Sequence, residues 1–109
     1  MTLDDALIKQ VEVDYLLDLI KELRSQRIDL PKGREITREF LTLLPFTSLD
    51  DMRNKVKTFS EKYKDFSRAY INLQAKEEQE KKTAVLDKMR EHLKNKNIDE
   101  AINIAKTVS

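Results

Sequence analysis

The side chains with chemical potential in this chain are one histidine, three tyrosines and many carboxylates and amines; cysteine is absent. His92 would need an orienting acid or a nucleophile to act as a general base. Glu91 is its neighbour in sequence and so points elsewhere on a helix, while Lys88, one turn back, is a cation. A zinc site needs several strong ligands, and the Glu-x-x-His spacing that builds di-iron bundle sites does not occur. The lack of cysteine removes thiolate nucleophiles, disulfides and cysteine metal sites together. A single glycine cannot make a glycine-rich phosphate loop, and Asp50 and Asp51 read as first-turn helix charges. No catalytic, cofactor-binding or metal-ligating residue is expected, and the protein is read as non-enzymatic.

Binding chemistry is better represented. Met52, Val56, Phe59, Tyr63, Phe66, Tyr70 and Leu73 recur at alternating steps of four and three, the pattern one side of a helix presents to a partner helix. Their aromatics are read as core, with the tyrosines toward its edge so that each hydroxyl finds a partner or water. On the back of the same segment, Arg53, Lys57, Lys64 and Arg68 form a candidate nucleic-acid face, flanked by Lys55 and Lys62. Lysine and arginine number 21 against 20 acids, so no global field draws a polyanion. The inward-pointing aromatics also leave that face without a stacking platform. Nucleic acid is therefore the alternative reading, not the first.

These residues must be carried by helices. One glycine and two prolines in 109 residues are too few for a turn-rich β architecture, and the length fits a single domain with one modest core. The expected fold is all-α, a small bundle of four to five helices over residues 3–27, 34–44, 48–80, 83–95 and 98–107. Thr2 and Asp5 are read as the first capping pair, and Ser48 with Asp51 as another, with Phe46 as a staple. Leu30-Pro31-Lys32-Gly33 reads as a turn, and Pro45 ends the second helix near Leu44. The third helix is long, and its composition favours continuation toward residue 94. The charged run Lys76 to Lys82 marks a sub-boundary near residues 76–83, because the apolar row returns beyond it out of register.

In the first helix, Gln10, Asp14, Asp18, Lys21 and Glu22 form a polar stripe. Leu7, Ile8, Val11, Val13, Tyr15, Leu16, Leu17, Leu19, Ile20 and Leu23 spread around the rest. An apolar arc that wide sits between two helices or lends a side to another chain. At the other end, Asn97 to Ile102 followed by Ala105 resembles the turn and second-helix opening of a tetratricopeptide unit. Without a second copy at a fixed period, it reads as a generic helical hairpin. Leu86, Met89, Leu93, Ile98, Ile102 and Val108 are its candidate partner-binding residues.

The function expected is protein–protein interaction or self-association as an adaptor or accessory protein, with a protein partner or a second copy of the chain docking helix to helix. No stretch approaches the ~20 apolar residues of a membrane span, and the N-terminus lacks the basic and apolar runs of a signal peptide. A cytoplasmic, cofactor-free protein is the expectation.

Overall fold

The starts of the first three helices in this chain are set by acidic and hydroxyl caps. A computed structural model describes residues 2–108, apart from the side chain of Val108. Asp4, not Thr2, caps the first helix, accepting from the Leu7 N–H at 2.8 Å, and α1 spans Asp5–Arg24. Asp29 caps the second by accepting from the Lys32 N–H at 2.9 Å, so α2 is Leu30–Thr42. Pro31 thus opens a helix where a turn was expected. Proline is tolerated in a first helical turn because its missing N–H has no intrahelical acceptor there. Ser48 caps α3, Leu49–Lys62, as its spacing to Asp51 predicts, and the Asp51 carboxylate in turn accepts from the Thr47 N–H.

The long third helix is interrupted earlier than expected. Tyr63 leaves the helical region (φ −121°, ψ 84°), a 3₁₀ turn covers Lys64–Phe66, and α4 begins at Arg68. From there α4 runs unbroken through Lys94, across the charged segment, and α5 occupies Ile98–Val108. Among the described residues there is no strand.

Both α1 and α4 end on a Schellman turn. Arg27 N–H reaches the Glu22 carbonyl and Gln26 N–H the Leu23 carbonyl; Asn97 and Lys96 repeat the pattern onto His92 and Leu93. The left-handed position falls on Gln26 (φ 59°) and Lys96 (φ 58°), where glycine is the usual occupant. Asn97 sits at the start of α5, its side chain accepting weakly from the Glu100 N–H.

Two compact units divide the chain, one ending at Gln74 and one starting at Ala75. The first holds the core: Leu7, Val11 and Tyr15 of α1, Ile36 and Phe40 of α2, Phe46 ahead of α3, Met52, Val56 and Phe59 of α3, then Phe66, Ala69 and Leu73. Its centre is aromatic. Tyr15 stacks on Phe40 with ring centroids 4.1 Å apart and planes within 5°, and Phe66 lies 5.6 Å from Tyr15. Phe59 meets both Tyr15 and Phe40 edge-on. The break at Tyr63 keeps Phe59 and Phe66 around the Tyr15 ring.

In the second unit the latter part of α4 packs with α5 as a helical hairpin. Ala101 is its one buried apolar residue among those described.

Candidate interaction surfaces

The hairpin is built from two amphipathic stretches joined by the Lys96 turn. Leu86, Met89 and Leu93 lie on one row of α4 at helical spacing, and Ile98 and Ile102 on one row of α5. A polar back leaves these rows as the apolar surface, yet the two helices bury little of it in each other. Leu86 is 62% exposed and Ile98 63%, with Leu93 close behind and Ile102 about half exposed; Met89 is half-buried. A shallow groove of about 280 Å³ lined by Lys82, Val85, Leu86, Met89 and Ala105 runs between them. The side chain of Val108, the sixth candidate, lies outside the described residues. His92 is half-buried, and no group of three or more potential metal-ligating side chains occurs among the described residues.

The four basic residues expected to share one helix face are divided among three elements. Arg53 and Lys57 belong to α3, Lys64 to the 3₁₀ turn and Arg68 to α4. Arg53 pairs with Asp50, and Arg68 is drawn to Asp18. The reason is the break at Tyr63: a single row of cations requires one continuous helix, and the aromatic core does not allow it.

The first helix holds the largest departure from its sequence reading. The three acids of its polar stripe face inward, while Gln10 and Lys21 are exposed. Asp14, Asp18 and Glu22, one turn apart, are all buried, Asp18 at 5% exposure and Glu22 at 1%. Burying a carboxylate is costly unless hydrogen bonds replace its water, and for Asp14 and Asp18 the opening of α4 supplies them. Asp18 accepts from the Arg68 backbone N–H and from its Nε, both at 3.1 Å. The helix N-terminus contributes free N–H groups and positive dipole at that point. Asp14 accepts from Asn72 Nδ2 at 3.1 Å and Gln10 Nε2 at 3.0 Å. Glu22 has one oxygen 3.5 Å from the Arg27 guanidinium and the other without a hydrogen-bond partner.

The opposite face of α1 is correspondingly open. Val13, Leu16, Leu17 and Ile20 are all exposed, Leu16 at 50%. Beside them, α1 and α2 enclose an apolar groove of about 290 Å³ lined by Leu19, Leu23, Leu30, Gly33, Thr37 and the arginines Arg34 and Arg38.

No family model matches the chain, and no curated protein or solved structure matches it. The functional reading therefore rests on the surfaces themselves. Further along the bundle, Glu39 joins Lys62 in an ion pair. Lys62 and Lys32 both lie over the Tyr63 ring. Hydrogen bonding to Lys62 holds the Glu39 carboxyl below its ordinary range, and the bond from Tyr63 to that carboxylate pushes the phenol up. This exposed cluster ties α2 to the end of α3. No described helix is long and apolar enough to cross a membrane.

Proposed function

We propose that this chain is a non-catalytic protein-binding protein that works through the α4–α5 hairpin and self-associates there. One observation carries the reading: the unit from Ala75 onward buries only Ala101 among its described apolar residues, while Leu86, Leu93, Ile98 and Ile102 stay about half to two-thirds exposed. Below about 40 residues a chain rarely maintains a fold without a metal, a disulfide or a partner. This unit has no cysteine. Docking the rows of two hairpins would complete the missing core.

Full burial of a leucine or isoleucine is worth ~1.5–3 kcal/mol. The four exposed side chains of each copy would recover ~1 kcal/mol apiece, on the order of 8 kcal/mol for a symmetric pair. Association costs about 4–15 kcal/mol, so the dimer is a weak one whose population follows concentration.

Light scattering across a wide concentration range tests this. The expected mass rises toward twice 12.8 kDa, and the double variant Leu86→Asp/Ile102→Asp stays monomeric with the first unit still folded. A wild-type monomer at every concentration removes self-association. Slow amide exchange through α5 in that monomer removes the need for any partner.

A further inference from the structure

We infer that the groove between α1 and α2 is a second docking site, one that receives an amphipathic helix of a partner protein bearing carboxylates beside its apolar row. The site lies in the first unit and stands independently of the hairpin.

Three observations lead there. The groove is apolar along its length, walled by Leu19 and Leu23 of α1 and Leu30 of α2. It continues into the uncovered row of Leu16 and Ile20, which lie two turns and one turn before Leu23 on the same helix. Its α2 edge carries Arg34 and Arg38, one turn apart, both exposed and neither joined to an acid among the described residues. By contrast Lys32, on the same helix, is paired with Glu35. Two free guanidiniums beside an apolar trough match carboxylates one turn apart on a helix lying in it.

The floor is Gly33. It is buried within α2 and has no left-handed backbone to maintain. A methyl group there would sit 3.5 Å from Leu23 Cδ2 and 3.6 Å from Leu19 Cδ1, ordinary contact distances. The intrachain packing thus has room for alanine, which a helix prefers by ~1 kcal/mol. What the glycine does provide is depth in the groove.

A helix is favoured over a small acidic ligand by the length of the surface. Lining residues from Leu30 to Arg38 extend about 12 Å along α2 at 1.5 Å per residue, and the Leu16–Ile20 row lengthens the apolar strip on α1. That suits successive anchors at i, i+4 and i+7. The chain's net charge of +1 supplies no general attraction for acids, so any preference must come from this edge.

The test uses the full chain and a labelled alanine-based helical peptide with leucines at i, i+3, i+4 and i+7 and flanking glutamates, compared with its lysine counterpart. Fluorescence anisotropy should show the acidic peptide bound at least about tenfold more tightly. Arg34→Glu/Arg38→Glu, at exposed positions, should reverse the preference, and amide shifts should centre on Leu19, Leu23 and Gly33. Equal binding of both peptides, binding of neither, or shifts centred elsewhere overturns the proposal. So does capture of the wild type by phosphatidylserine vesicles, lost in the same double variant, with neither peptide bound.

Discussion

Replacing an acid of α1 should unfold this protein more readily than replacing one of its exposed leucines. Asp18→Ala removes two hydrogen bonds accepted by a buried carboxylate, from the Arg68 N–H and Nε. Bonds to charged groups contribute ~1.5–3 kcal/mol each, so the gross loss is ~3–6 kcal/mol. The Arg68 side chain is 41% exposed and regains water once released, which roughly halves its share. Alanine returns ~0.5 kcal/mol of helix propensity, leaving a net destabilisation of about 2–4 kcal/mol. Leu16→Ala, at 50% exposure, forfeits about half of a leucine's burial energy and leaves no cavity, for a cost of ~1 kcal/mol or less. Urea denaturation followed by circular dichroism, at two protein concentrations to separate any association, measures both. If Leu16→Ala costs more than Asp18→Ala in the monomer, α1 faces the other way and the inward acidic row is wrong.

Three further outcomes follow from the same structure. Gly33→Ala should stabilise the fold by ~1 kcal/mol, raising the melting temperature by about 4 °C or more, while narrowing the α1–α2 groove. Gln26→Gly relieves the left-handed position of the first Schellman turn, and a gain of ~0.5–1 kcal/mol in the same denaturation assay is expected. Thr37 donates its hydroxyl proton to the Gly33 carbonyl, so Tyr15 must be the donor in its 2.7 Å bond to Thr37. Burial raises the Tyr15 phenol above its ordinary 10.0. The unfolded chain therefore ionises first, and stability present below about pH 10 falls as pH rises through the folded value. Tyr15→Phe should cost ~1 kcal/mol at neutral pH and flatten that alkaline decline; an unchanged decline would count against the burial.

How far the sequence could be read depended on whether the deciding interaction was local. The start of α3 was legible because Ser48, Asp51 and Phe46 act within a few residues of each other. Phe59 and Phe66 were recognisable as core from spacing alone. The start of α2 is harder to see, because Pro31 favours a turn by residue type and only the Asp29 cap before it makes it a first-turn helix residue. The break at Tyr63 has no local signal: every residue from Lys62 to Arg68 is compatible with a helix. It is set by distant partners, the Tyr15 ring that Phe66 packs against and the Asp18 carboxylate that receives the first N–H of α4. The four basic residues fall on separate elements for the same reason. The candidate hairpin residues were legible as apolar rows, whereas the α1–α2 groove was not, because it exists only once Gly33 crosses Leu19 and Leu23.

The acidic row did carry a signal that composition obscured. Asp14, Asp18 and Glu22 are mutual neighbours at one-turn spacing, and like charges so placed destabilise a solvated helix. Lys21, three residues after Asp18, is the one basic side chain on α1 a turn away from any of them, too little to relieve the repulsion of three carboxylates. Such a row is easier to account for if its partners lie elsewhere in the chain, and Asn72, Arg68 and Arg27 are those partners for Asp14, Asp18 and Glu22 in turn. Once that side of α1 is committed to the opening of α4, and Tyr15 and Leu19 to α2, the face bearing Val13, Leu16, Leu17 and Ile20 has no neighbour left among the first unit's helices. The exposed leucines are thus the geometric consequence of the buried acids, and substituting the acids by leucine would remove the specificity of the α1–α4 contact before it removed its apolar area.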